Sequence, residues 1–591
     1  MKGYAGKILV ADLTKGKTSL IDTDPDIAAK FLGGGGYACA LLYGLMTSPP
    51  DPLSPDNPLL FMTGPLTGTL APCTGRHVVC SRSPLTGFWG EANAGGHFGA
   101  TLKFSGLDGV LVKGRAKKPI VLLIDDGSPS LIPGDHLWGM TTDAAQERLK
   151  RDLGKIQVAC IGPAGENKVR FASIMNDERS AARCGLGAVM GSKLLKAIAV
   201  RGKKEVPLAD PSGFRTLAQK ASRTLGELMA PLRDSGTAVY VDIGMEFNDM
   251  PIKYFQGTSF DISTLNAKAL GSILTGRTAC HSCPIGCGRK VSIPEMGLEN
   301  VAGPEYQTIA AFGTNVMNPD IKQVARMNRL CNQLGMDTIS CGSTLALTMH
   351  LCETGVLDID LQWGDTDRIA DMIQAIAMRQ GPGTTLAEGS KRLGDSLGVS
   401  EQVLHVKGME VPNHDPRAFS GMATVYAVAA RGATHLEGDM YSVDMGADVM
   451  ELGINSGDRL ENEGKGATAA KAQDYRAFFD LLVMCHFAIL PLQTIADLIR
   501  MAMGNAMRIS DMLMFGSRSV TMKRMFNLKC GLTPQDDSLP AQLLRPLPES
   551  ATDDFVPDLQ LQLRDYYAYR KWDRNTGRPT GAALKELGLA F

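Results

Sequence analysis

The sequence predicts an α+β protein with a β-rich N-terminal base followed by two largely helical domains. Three observations predict it. Short apolar runs before about residue 207 are broken by Gly, Pro and Asp clusters at strand-like intervals. Charge and proline gather at Lys203-Lys-Glu-Val-Pro-Leu-Ala-Asp-Pro, a boundary signature. Beyond it, apolar residues recur at three- and four-residue spacing, the period of an amphipathic helix.

In chain order, the N-terminus alternates as a strand through Lys7-Ile-Leu-Val-Ala-Asp, without the apolar core of a signal peptide. Val110-Leu-Val-Lys and Ile120-Val-Leu-Leu-Ile-Asp read as strands, and Lys196-Ala-Ile-Ala-Val-Arg-Gly as the last strand and turn of the base. Helices are expected over Ser212–Leu228, Asp320–Leu334, Ser343–Thr354, Gln473–Ile489 and Ile495–Met507. A change of pattern near 415 divides the helical part, giving segments 1–207, 208–415 and 416–591, with no internal repeat.

A formal net charge of −1 without a Lys/Arg run gives no sign of nucleic-acid or anionic-membrane binding. No apolar run approaches the ~18 residues of a spanning helix. Thirteen cysteines in a chain read as cytoplasmic point to thiols or metal ligands rather than disulfides.

The strongest local signal is Cys280-His-Ser-Cys283-Pro-Ile-Gly-Cys287. Three thiolates at this spacing, with Pro and Gly to bend the backbone, can wrap one face of an iron–sulfur cluster. Cys485 is the candidate fourth ligand. A structural zinc site using His281 or His486 is the competing reading of the same residues. Cys39, Cys73, Cys80, Cys160, Cys331, Cys352 and Cys530 read as small buried hydrophobes.

Four glycine-rich stretches punctuate the base: 31–37, 64–69, 93–99 and 181–193. Each alone reads as a structural turn. Together, and with Arg76 and Arg183 beside them, they favour an anionic cofactor cradled by backbone N–H groups.

These stretches, in order from about residue 5 to 490, resemble the aldehyde ferredoxin oxidoreductase family. The resemblance is carried by Gly64-Pro-Leu-Thr-Gly-Thr, Ser83-Pro-Leu-Thr-Gly, Arg183-Cys-Gly-Leu-Gly-Ala-Val-Met-Gly-Ser-Lys and the cysteine run. It continues through Gly303-Pro-Glu-Tyr-Gln-Thr, Leu334-Gly-Met-Asp-Thr-Ile-Ser, His414-Asp-Pro-Arg and Arg431-Gly-Ala-Thr-His435. It implies three domains, a bis-pterin holding tungsten or molybdenum, a [4Fe-4S] cluster on Cys280, Cys283, Cys287 and Cys485, and electron transfer to ferredoxin or an iron–sulfur subunit. By position it assigns Arg76 between cluster and pterin, Asn93, Ala94, Gly95 and Gly96 under one pterin, and Arg183 with Cys184 under the other. Backbone carbonyls of Asn93 and Cys184 would hold a magnesium ion bridging the pterin phosphates, and Asp337 and Asp480 would bind the pterin rings.

The resemblance also implies an acid–base pair, Glu305 and His435, with Tyr306 hydrogen-bonding the substrate. Without it, Glu305 reads as a helix N-terminal residue after Pro304, His435 as a satisfied turn histidine, and either aspartate as a cap or surface charge.

Departures are visible around both aspartates, in Asp337-Thr-Ile-Ser-Cys and Asp480-Leu-Leu-Val-Met-Cys. Cys341 raises a second reading, since a benzoyl-CoA-reducing branch of the family has a cysteine ligand on tungsten; an inert buried thiol is the simpler reading. No Glu-x-x-His pair of the subunit-bridging type is present, which leaves a homodimer of that design or a hetero-oligomer open. The expected reaction is oxidation of an unphosphorylated aldehyde with water to a carboxylate. The alternatives are low-potential reduction of an aromatic acyl-CoA, and a cluster-bearing electron-transfer protein without pterin.

Overall fold

The computed structural model describes residues 1–589. The base is built from two six-stranded mixed sheets. In the first, spatial order runs Lys17–Asp22, Lys7–Asp12, Gly109–Lys113, Leu59–Met62, His77–Arg82, Trp89–Ala94. Only Lys7–Asp12 and Gly109–Lys113 pair in parallel. The interior strand Leu-Leu-Phe-Met at Leu59–Met62 is buried on both faces, so its sequence is a continuous apolar run. The edge strand Lys17–Asp22 is mostly exposed and carries Lys, Thr, Ser and Asp, which blunts the sheet edge.

The second sheet centres on Leu195–Arg201, parallel to Ile120–Asp125 and antiparallel to Gln157–Cys160. Helix Thr142–Leu153 closes a small satellite core over Val121, Val158, Ala197 and Ala199. The main core is continuous from Tyr4 to Leu589, so base and helical parts share one interior.

Beyond Arg201 the chain is mainly helical, opening with Pro211–Leu228, which Asp210 caps and Pro211 starts. The other expected helices run Ile321–Leu334, Thr338–Glu353, Lys465–Leu482 and Leu492–Met503. Three differ from expectation by several residues: Lys465–Leu482 also begins eight residues before the expected Gln473, and Leu492–Met503 begins three residues early and stops at Gly504, whose φ is +88°. Thr338–Glu353 starts early because Asp337 caps it, accepting from the Ile339 and Ser340 N–H groups. Lys465–Leu482 ends early because Val483 adopts a left-handed φ of 54° and stops the helix before Cys485.

One insertion positions the site. Strands Leu274–Thr278, Gly288–Ile293 and Leu298–Ala302 form an antiparallel sheet, and the cysteine run is the connection between the first two. That hairpin lays the cysteines against the loop after Trp89–Ala94: the His281 N–H donates to the Gly96 carbonyl at 3.0 Å.

Candidate active site

Cys280, Cys283, Cys287 and Cys485 gather from two distant segments, all half-buried. The Cys485 N–H donates to the Cys73 carbonyl at 3.0 Å, and the Cys73 N–H to the Ser282 carbonyl at 3.0 Å, tying the segments together. Among the described residues no three His, Cys, Asp or Glu side chains converge on a single ion. Four thiols from these two segments form a donor set of the kind that an iron–sulfur cluster uses.

The charges of the thiols differ by surroundings. Cys283 is pulled down to about 6, first by a hydrogen bond from Cys73 and then by the Gly286 and Ile285 N–H groups, against the effect of burial. Burial pushes Cys287 up to about 12, with Glu305 adding to it. Burial also raises Cys485, and Arg76 opposes it.

Arg76 donates from Nε to Asn93 Oδ1 at 2.5 Å and from its terminal nitrogen to the Asn93 carbonyl at 3.3 Å. It lines a cavity of about 260 Å³ together with Gly95, Arg179, Arg183, Asp337 and Glu305. Glycine is required at 95, where a Cβ would come 2.7 Å from Cys280 Sγ, and at 96, where φ is +96°. Ala94 ends its strand with its side chain in the core.

Arg183 is ion-paired to Asp337 at 3.2 Å and donates to the Glu410 carbonyl at 2.7 Å. Asp337 is thus a helix cap and a wall of the cavity at once. Arg179 was missed in the sequence, where a lone arginine has no motif. Burial works against its charge, and Cys280 and Glu305 more than offset that, raising its pKa. Nη2 of Arg179 is buried without a hydrogen-bond partner, whereas Nε of Arg183 faces Asp337. An unspent guanidinium donor on a polar cavity fits an anionic, heteroatom-rich ligand such as a pterin phosphate.

Glu305 caps helix Tyr306–Phe312 by position, but its side chain makes no capping bond. It accepts from Arg179 at 3.2 Å and from the Thr237 hydroxyl at 2.6 Å. The Tyr306 hydroxyl donates to the Asn413 carbonyl at 2.9 Å. The tyrosine ring lies 4.8 Å from His414, whose ring lies 5.2 Å from His435. His414 Nδ1 meets Asp249 at 2.5 Å. The signal for this pair was the His414-Asp-Pro-Arg run, whose histidine had been given no role.

His435 Nδ1 is buried without a partner, contrary to a satisfied turn histidine. Burial first, then His414, Arg183 and Arg431, hold its pKa well below the ordinary value, so its imidazole is neutral. No hydrogen bond or ion pair among the described residues joins it to Glu305.

Asp480 is not brought to the main cavity. It lines a void of about 10 Å³, room for one water, beside Glu437 and Lys523. Burial would raise its pKa, but His486 at 3.2 Å holds it low. Cys341 and His435 are absent from the cavity wall as well; Cys341 is buried in its helix beside Cys331. The Cys184 carbonyl accepts from Ser83 at 2.8 Å and the Asn93 carbonyl from Arg76, leaving each a further lone pair.

The glycine stretches divide. Residues 93–99 and 181–193 contribute to the cavity. The runs 31–37 and 64–69 do not: Gly34 and Gly64 pack on the Asp480 and Leu482 carbonyls, chain against chain with no space for a cofactor.

A two-sheet base thus carries a cysteine hairpin beside an arginine-lined cavity. Residues 8–202 match the aldehyde ferredoxin oxidoreductase N-terminal domain and residues 215–589 match domains 2 and 3 of that enzyme. The chain belongs to the aldehyde ferredoxin oxidoreductase family and is an oxidoreductase.

It is 38% identical to the tungsten-containing aldehyde ferredoxin oxidoreductase of Pyrococcus furiosus and 37% to that of Thermococcus kodakarensis, over the full length of both chains in each case. It is 28% identical to the WOR-like subunit of aliphatic sulfonate oxidoreductase of Pyrococcus furiosus, covering all of this chain and 97% of that one. The active-site complex BamBC of benzoyl coenzyme A reductase superposes with a TM-score of 0.85 at 23% identity, over 100% of this chain and 97% of that chain. That likeness shows a common fold. Among the described residues no helix is long and apolar enough to cross a membrane.

Proposed function

We propose that the chain oxidises an unphosphorylated aldehyde to its carboxylate at a pterin-held tungsten or molybdenum, passing electrons through a [4Fe-4S] cluster to ferredoxin or an iron–sulfur subunit. The observation that carries it is the sharing of Arg76 and Arg179 between the four-cysteine cup and the cavity containing Glu305. The balance is aldehyde plus water giving carboxylate, three protons and two electrons.

When bound, the metal supplies the two-electron redox step. The protein's part is to bind, orient and move protons. Arg183, with Arg179, would neutralise pterin phosphate, and Asp337 would bind the ring edge. A magnesium ion bridging the phosphates would use the free lone pairs of the Asn93 and Cys184 carbonyls. Glu305, steadied by Arg179 and Thr237, would take the proton of water or of the hydrated aldehyde. His435, neutral, would donate an N–H to the substrate oxygen. Cys341 is buried beside Cys331, and Glu305 in the cavity favours the aldehyde reading over the acyl-CoA one.

Metal analysis with benzaldehyde and benzoyl-CoA turnover on a dye acceptor tests this. Expected are iron plus tungsten or molybdenum, and aldehyde turnover that Glu305→Gln abolishes without loss of iron. Iron without either heavier metal, or benzoyl-CoA turnover alone, would sink the reading.

A further inference from the structure

Cys73 has no role in the site as described so far, yet it is built into the centre of it. The turn Thr69–Arg76 passes between the hairpin carrying Cys280, Cys283 and Cys287 and the stretch carrying Cys485, and its backbone hydrogen-bonds to both. Cys73 holds a φ of +63°, a conformation that costs a non-glycine residue free energy. Neighbouring bonds enforce it. Thr74 Oγ1 donates to the Ala71 carbonyl at 2.8 Å, the Ala71 N–H to Thr69 Oγ1 at 3.1 Å, and Ser282 Oγ to the Thr69 carbonyl at 2.9 Å. The result is a thiol, 2% exposed, with its Sγ 3.6 Å from Cys283 Sγ.

We propose that Cys73 is a fifth sulfur of the iron–sulfur site, a positioning residue and not a ligand, whose S–H donates a hydrogen bond to Cys283 and sets the reduction potential of the cluster. The proposal rests on the cluster reading above. A thiolate bound to iron has no proton to give, so Cys73 must be the donor. A hydrogen bond to a ligand sulfur withdraws negative charge from it and favours the reduced, more negative cluster, which raises the potential. Cys485 already occupies the fourth ligand position, so the cluster does not need Cys73 to hold its iron.

The test compares purified wild type, Cys73→Ala, Cys73→Ser and Cys485→Ala for iron content and for midpoint potential by EPR-monitored redox titration. Expected are wild-type iron content in both Cys73 variants, a more negative potential in Cys73→Ala, and a smaller displacement in Cys73→Ser, which retains an O–H donor. An unchanged potential in Cys73→Ala, or equal displacement in Ala and Ser, would overturn the proposal. So would iron loss in Cys73→Ala matching that of Cys485→Ala, which would make Cys73 a ligand. Wild type without iron would instead remove the cluster reading itself.

Discussion

At Arg179 one side chain reaches both halves of the proposed site, with Cys280 and Glu305 favouring its charge and Glu305 accepting its hydrogen bond. A charge-assisted hydrogen bond of this kind is worth about 1.5–3 kcal/mol. Arg179→Ala is therefore expected to lower aldehyde turnover roughly 10- to 100-fold, with the iron content unchanged; steady-state kinetics and iron assay check it. Sequence could not show this role, because it depends on residues from three segments meeting in space. Glu305 was legible as the residue after Pro304 that begins a helix, and the structure places it at that helix start. His435 gives a second expectation. Because its folded pKa lies well below the ordinary histidine value, it keeps the same charge as pH falls through about 6.5. The pH–rate profile should show no break there; a break near 6.5 that vanishes in His435→Gln would contradict the neutral imidazole.

Among the elements, the helix Lys465–Leu482 matters to the site because its end delivers the turn to Cys485. Its C-terminal carbonyls lie directly on Gly34 and Gly64, so the glycine runs that suggested a phosphate cradle are close-approach surfaces. Composition alone does not separate these two uses of glycine, because both require a missing Cβ. Gly64→Ala should push this helix end away, with overpacking costing about 1–3 kcal/mol. The expected readout is a lower melting temperature together with reduced iron content; full iron retention would show that the helix end is not what places Cys485. Strands such as Ile120–Asp125 were legible to the residue because apolar run and flanking turn residues agreed. The start at Thr338 was not, because the cap that sets it, Asp337, had been read first as a ligand.

At the scale of the whole molecule, several histidines are folded into places where they cannot take a proton. His77 lies between Phe61 and Phe98 with both ring nitrogens unpartnered, and burial drives its pKa down to about 3. Burial likewise takes His405 down to about 4. Unfolded, both titrate near 6.5, so the stability present above that pH is lost as acid protonates the unfolded chain. For His77 alone the loss between pH 6.5 and 5 is about 2 kcal/mol. His77→Phe should reduce the drop in melting temperature between pH 7.5 and 5; an unchanged drop would remove His77 as its source. The two-part architecture was legible because strand and helix periods occupy separate stretches of chain. The single continuous core was not, since periodicity says nothing of which faces meet. The bonds from Cys73 to Ser282 and Cys485 carry a consequence for biogenesis. The cup for the iron is closed only by a residue far down the chain, so a nascent polypeptide emerging in order offers three thiols and no complete site. If the proposed cluster is held by these four thiols, its complete site forms only once Cys485 has been synthesised and folded against Cys73.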